Sequence, residues 1–130
     1  MGDIDDFKLI NDTYGHIVGD IVLNNIGKLL KNELKDCLIG RYGGEEFIIL
    51  MKNTSDSFNR IDTIRKLISK MSIEYNNSVI DNISMSFGIY NINEKENNND
   101  VKKLRNRYID NADTALYKSK NNNKNQVTVY

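Results

Sequence analysis

Apolar residues recur along this chain at two periods, and the alternation between them sets the expected architecture. Residues 7–13 predict a short helix running into a Tyr14-Gly15-His16 turn. Val22, Ile26, Leu29 or Leu30 and Leu34 then follow at helical steps, predicting a longer helix that Asp20 can cap and that ends near Leu34. Two strand-like runs, 38–42 and 46–51, flank Gly43-Gly44 and predict a hairpin. Asn53-Thr54-Ser55-Asp56 breaks the run and opens another helix, with Phe58, Ile61, Ile64, Ile68 and Met71 as its stripe. Past a polar stretch at Asn76-Asn77-Ser78, residues 83–89 alternate apolar with small or polar, the period of a half-buried strand. Residues 93–100 are too polar to pack and read as a loop. A last long helix spans 101–120 with Val101, Leu104, Tyr108, Ala112 and Ala115 inward. Asn121-Asn122-Asn123 ends it, and 127–130 form a short closing strand. With no internal repeat and no linker, the expected fold is a single α/β (α+β) sandwich over 1–130, its sheet largely antiparallel.

Composition narrows what such a domain does. Its 130 residues suffice for one core. Formal net charge is zero with no basic stretch, so binding along a nucleic acid has no electrostatic support. The lone Cys37 allows no internal disulfide and fits a reducing, cytoplasmic setting. No apolar run approaches membrane-spanning length, and Met1-Gly2-Asp3-Ile4-Asp5-Asp6 is acidic, unlike a signal sequence.

Candidate chemistry lies in two acidic segments. Gly43-Gly44-Glu45-Glu46-Phe47 places two carboxylates beside paired glycines that supply positive φ and let a ligand approach the backbone. Crowded carboxylates are costly unless a cation or protons relieve them. The hairpin therefore reads either as a metal-assisted phosphate site or as a surface turn decorated with glutamates. Asp3, Asp5, Asp6 and Asp12 place four aspartates within ten positions. Hard cations such as Mg²⁺ take one or two carboxylates plus substrate phosphates, which Asp3 beside Glu45 would provide. Asp5 and Asp6 can instead cap the helix that follows. Asn11 and Asp20 read, on their own, as a helix C-terminus and an N-cap, and His16 as a turn-stabilising residue.

Taken together these segments resemble the GGDEF family, the diguanylate cyclase catalytic domain, in its Glu variant. The resemblance rests on Asp3-Ile4-Asp5 with Phe7-Lys8, on Ile10-Asn11-Asp12, Gly15-His16 and Gly19-Asp20, and on Arg41-Tyr42 before the hairpin. It extends to Ser86-Phe87-Gly88-Ile89, Ala112-Asp113, Ala115-Leu116-Tyr117 and Lys120, in family order across nearly the whole chain. It implies a fold like that of nucleotide cyclases and polymerase palms. It also implies condensation of two GTP into cyclic di-GMP and pyrophosphate, at facing sites of a homodimer, usually behind a sensory or receiver domain.

By motif position the resemblance implies that Asp3 and Glu45 ligate Mg²⁺ (or Mn²⁺), with the Ile4 carbonyl and Glu46 assisting. Glu45 would be a metal ligand or also the proton acceptor. Asn11 and Asp20 would hydrogen-bond guanine. Gly43 and Gly44, with the amides near Phe7 and Lys8, would lie against the phosphates, and Lys120 and Lys124 would contact them. Lys124 stands where arginine is commoner, offering a point charge instead of a bidentate fork.

Two departures from the family pattern bear on function. The Arg-x-x-Asp motif of product-inhibited members is absent, its place taken by Leu34-Lys35-Asp36-Cys37. The family's preceding helix and most of its first, central strand are also missing, so Met1 is expected to be an internal methionine of a longer protein. Losing such a strand would remove about 5–10 kcal/mol of apolar burial and leave unpaired backbone within the sheet. Two functions stay open on these grounds: an active cyclase, or a catalytically impaired fragment serving as a GTP-binding interaction module.

Overall fold

A computed structural model describes residues 1–52, 55–92 and 100–130. In chain order the elements are β1 (Gly2–Ile4), α1 (Phe7–Tyr14), α2 (His16–Glu33), β2 (Leu38–Gly43), β3 (Glu46–Leu50) and α3 (Ser57–Ile68). They continue with β4 (Ile73–Tyr75), β5 (Ser78–Ile80), β6 (Met85–Ile89), α4 (Val101–Asn121) and β7 (Val127–Val129). The main sheet has the order β2-β3-β1-β6-β7, antiparallel except for the β6–β7 pair. β1, one of its two three-residue strands, thus lies at the centre. Met1 extends the pairing, its ammonium donating to Gly88 O at 2.7 Å and its carbonyl accepting from Gly88 N at 2.8 Å.

Pairing register assigns the two faces, because side chains alternate along a strand and register partners share a side. Gly2 pairs with Phe47 and Phe87, and Ile4 with Met85. These residues meet the apolar stripes of α2 (Val18, Val22, Ile26, Leu30) and α3 (Ile61, Ile64, Ile68) in the main core. Asp3 pairs with Glu46 and Ser86 on the other face, where α4 lies. There α4 runs against β6 so closely that a Cβ on Gly88 would sit 2.2 Å from both Ala112 O and Leu116 N. The Ser119 hydroxyl completes the contact by donating to Phe87 O at 2.8 Å. Beyond the end of β1, Leu38, Gly40, Ile48 and Leu50 of this face and Leu104 and Tyr108 of α4 line an open apolar groove of about 980 Å³.

Several expected elements shift. The second helix begins at His16, so Asp20 lies inside it and caps nothing; the helix starts from Gly15 at φ 87° with no side-chain cap. Asp6 occupies the N-cap of α1 in the left-handed region at φ 52°, where no side-chain cap forms, and Asp5 turns elsewhere. β6 is buried on both sides, not half-buried, because the small Ser86 and Gly88 admit α4. Phe58 is 46% exposed and Ser57 fills the inward place in its turn. Val101 is 78% exposed, and the buried positions of α4 begin only at Ala112. The stretch at Asn76 and Asn77 is a hairpin turn joining β4 to β5, with both residues left-handed at φ 45° and 63°. Asn53 and Thr54, and the expected loop at 93–99, lie outside the described residues. Asp100, expected in that loop, caps α4 by accepting from Lys102 N and Lys103 N. Among the described residues no helix is long and apolar enough to cross a membrane.

The Gly88 contact gives a direct test. Gly88→Ala is expected to cost about 3 kcal/mol, the upper end for overpacking, because the obstacle is helix backbone. Gly27→Ala is the control: its Cβ would meet only Phe47 Cε1 at 3.9 Å, and helix propensity favours alanine by up to about 1 kcal/mol. Urea midpoints check both, and equal midpoints for the two variants would contradict the packing described.

Candidate functional site

The tip of the β2–β3 hairpin is shaped by one extra residue. Pairing runs in step from Leu38 opposite Leu50 to Arg41 opposite Phe47, skips Tyr42, and resumes with Gly43 opposite Glu46. Gly44 supplies the positive φ (47°), while Gly43 stays in the strand, so one glycine of the pair makes the turn. Arg41 Nε donates to Gly44 O at 2.7 Å and braces the tip. Ile4 N donates to Glu45 O at 3.4 Å, joining the tip to the end of β1.

Asp3 and Glu46 are direct cross-strand partners on the α4 face. Asp3 is buried, and Lys120 of α4 brings its Nζ to 2.6 Å from Asp3 Oδ1. That oxygen accepts no well-oriented hydrogen bond among the described residues. Burial raises the Asp3 pKa above the ordinary carboxylate range; Lys120 opposes the shift, and Glu45 and Asp5 add to it. Glu46 is also raised, by burial first and then by Asp3 and Asp113, with Lys120 again opposing. The cluster is therefore short of positive charge even with its lysine. No group of three His, Cys, Asp or Glu side chains is poised to hold a metal among the described residues. What the cluster does offer is a poorly satisfied buried carboxylate oxygen with two more carboxylates nearby. That donor set suits a hard cation completed by substrate phosphates.

Beside this cluster lies a cleft of about 390 Å³. It gathers Phe7, Lys8 and Asn11 of α1, Asp20 of α2, and Gly44 and Glu45 of the hairpin. Asp12, His16, Leu23 and Arg41 complete the lining and were not singled out as site residues from the sequence. Arg41 had a readable signal, a cation two positions before the glycines. Asn11 sits in the last turn of α1, where its carbonyl accepts from Gly15 N at 2.9 Å. Asp20 is exposed on the cleft side of α2.

Asp3, Ile4, Gly43, Glu46, Lys120 and Lys124 lie outside the cleft lining. Lys124 pairs with Asp6 at 2.6 Å, at the start of α1. Asp5, a capping candidate in the sequence, has a different task. Its buried carboxylate accepts from Ser84 Oγ and Ser86 Oγ, both at 2.7 Å, and from Asn125 N at 3.0 Å. Asn125 ends a run of three left-handed residues, Asn123, Lys124 and Asn125. Arg65 of α3 holds the same turn, bonding Asn125 O at 3.2 Å and Asn125 Oδ1 at 3.0 Å. Lys124 is thus carried on a turn anchored in the core.

Comparison with known proteins accords with this geometry. The family described as "Diguanylate cyclase, GGDEF domain" matches residues 1–126. Diguanylate cyclase A of Treponema denticola is 42% identical over 133 residues, spanning 99% of this chain and 34% of that protein. This chain therefore covers about a third of that curated relative. Among solved structures, the active GGEEF domain of a diguanylate cyclase from Vibrio cholerae superposes with a TM-score of 0.84 at 33% identity, covering 99% of this chain and 79% of that one. The GGDEF domain of DgcB from Caulobacter crescentus, solved in complex with c-di-GMP, gives 0.86 at 29% identity, covering 98% and 74%. With the match running from Met1 almost to the last strand and the fold in common, this chain belongs to the GGDEF domain family.

Proposed function

We propose that this domain carries the catalytic site of a diguanylate cyclase, which condenses two GTP into cyclic di-GMP with release of two pyrophosphates. The observation that carries the reading is the single cleft in which Asn11 and Asp20 share a wall with Gly44 and Glu45, beside the Asp3–Glu46 pair. Guanine presents N–H donors that the Asp20 carboxylate accepts, and both donors and acceptors that an Asn11 amide can match. The backbone at Gly43 and Gly44 and the start of α1 at Phe7 and Lys8 lie against the phosphates. Lys120 and Lys124, now paired with Asp3 and Asp6, contribute positive charge there.

Asp3 and Glu45, with Glu46 and the Ile4 carbonyl, would hold Mg²⁺ (or Mn²⁺). When bound, the metal neutralises phosphate charge and makes the 3′-hydroxyl a better nucleophile. The hydroxyl of one GTP attacks the α-phosphate of the other, a P–O bond forms, and the bond to pyrophosphate breaks. Each site holds one nucleotide, so two copies of the domain must face each other. A regulatory domain preceding this one in the polypeptide is part of the same reading.

A second reading, a GTP-binding module without turnover, is favoured by the Lys120 ammonium seated on Asp3. Incubation with GTP and Mg²⁺ followed by chromatography separates the two. Cyclic di-GMP is expected to form, and Asp3→Asn or Glu45→Gln is expected to lower its rate by about a hundredfold or more. GTP binding without any product would favour the module instead.

The raised carboxyls set a pH signature. A carboxyl whose folded pKa lies above its unfolded value favours the fold when protonated. Metal-free stability should therefore decline as pH climbs through the raised values of Asp3 and Glu46. A divalent cation needs those groups ionised. Thermal stabilisation by Mg²⁺ with GTP is accordingly expected to be larger at about pH 8 than at about pH 5; equal shifts at the two would contradict the assignment.

Product inhibition through the usual site is not expected. Leu34 is buried and Cys37 half-buried where the inhibitory arginine and aspartate would stand, and Asp36 is engaged by Arg60 at 2.5 and 3.0 Å. Calorimetry with cyclic di-GMP should find no tight binding that Lys35→Ala or Asp36→Ala removes.

A further inference from the structure

Gly2, Gly19 and Gly88 leave no room for a Cβ, and at Gly19 alone the obstacle is side chains of the cleft. A Cβ built there would lie 2.0 Å from Asn11 Oδ1, 3.0 Å from Asn11 Cγ and 3.2 Å from Phe7 Cζ. By contrast, a Cβ at Gly15 or Gly44 would meet nothing within 4 Å, and one at Gly27 only a ring carbon at 3.9 Å. Gly19 is buried inside α2, where alanine would be the better helix former. The residue is accounted for by space and not by helix propensity.

We propose that Gly19 is a positioning residue for base recognition, its missing side chain being the room in which the Asn11 amide stands while it faces the cleft. The inference rests on the reading of Asn11 as a guanine contact. Neither helix can yield easily to make room. Gly15 N donates to Asn11 O at 2.9 Å, and Gly19 N donates to Gly15 O at 3.2 Å, so the backbones on both sides of the contact are tied to one residue. What remains free is rotation of the Asn11 side chain. A methyl at position 19 would turn the amide out of its place while the helices stay put, and the Phe7 ring, also on the cleft wall, would give by a few tenths of an ångström. Asp20, the other polar group of the base-binding pair, follows Gly19 directly, so one turn of α2 both supplies a recognition group and makes room for its partner.

The test is a double-mutant cycle on Gly19→Ala and Asn11→Ala, reading affinity for non-hydrolysable GTP and ATP analogues with Mg²⁺ by calorimetry and the thermal midpoint of each variant. Gly19→Ala is expected to weaken GTP-analogue binding by about 3- to 10-fold, one hydrogen bond's worth, and to leave the ATP analogue unchanged. In turnover it should raise KM with kcat retained, since uniform binding is lost. Added to Asn11→Ala, it should have no further effect, because nothing is left to displace. If Asn11→Ala lowers guanine selectivity and Gly19→Ala does not, the positioning role is overturned and the base assignment stands. If Asn11→Ala lowers nothing, the base assignment fails and the inference with it. Should Gly19→Ala alone fail to fold, the double variant decides: recovery of folding places the conflict at Asn11 as proposed, and no recovery overturns it.

Discussion

The structure depends on a strand of three residues that must serve two opposite environments. β1 alternates Gly2 and Ile4 toward a dry core with Asp3 toward α4, at the centre of the sheet. A buried carboxylate in that position would be expensive in isolation. It is tolerated because Lys120 comes down from α4, and α4 can come so close only because Ser86 and Gly88 leave β6 nearly flat on that side. Core packing, helix placement and the charge state of the site are consequently one arrangement. The lysine relieves Asp3 only in part, and the Asp3 carboxyl stays above its ordinary pKa range.

The two carboxylates of the Asp3-Ile4-Asp5 segment illustrate how identical chemistry acquires different work from its neighbours. Asp3 faces a single ammonium and other acids. Asp5 faces two hydroxyls and an amide that satisfy it, and it ties β1 to β6 and to the turn before β7. One is held short of partners and the other is saturated with them. Rigidity belongs to the second, and the first is the carboxylate left with capacity for another partner.

Much of this was legible in the sequence, and what was not has identifiable causes. The hairpin, the long helices and the acidic clusters announce themselves by period and composition, and the family motifs led to the cleft residues Asn11, Asp20, Gly44 and Glu45. The start of α2 was misplaced because Asp20 looks like a cap, whereas Gly15 opens the helix with no side chain at all. The β4–β5 hairpin was passed over because its turn uses Asn76 and Asn77, which reach the left-handed region without glycine. Phe58 and Val101 follow a helical stripe yet lie exposed in the first turns of their helices, and in α3 it is Ser57 that turns inward. The role of Asp5 needed partners more than 70 positions away, Ser84 and Ser86 among them, and no local pattern encodes those.

The bond from Asn125 N to Asp5 has a mechanical meaning. Asn125 leads directly into β7, the edge strand that closes the chain, and Asp5 follows directly on the strand that carries Asp3. Beside the ladders through β6, this hydrogen bond joins the sheet's outer edge directly to its acidic centre, at a turn that Arg65 of α3 also holds. The final strand is less a trailing end than a tie-rod: the turn that leads into it is fastened to the residue next to the strand carrying Asp3.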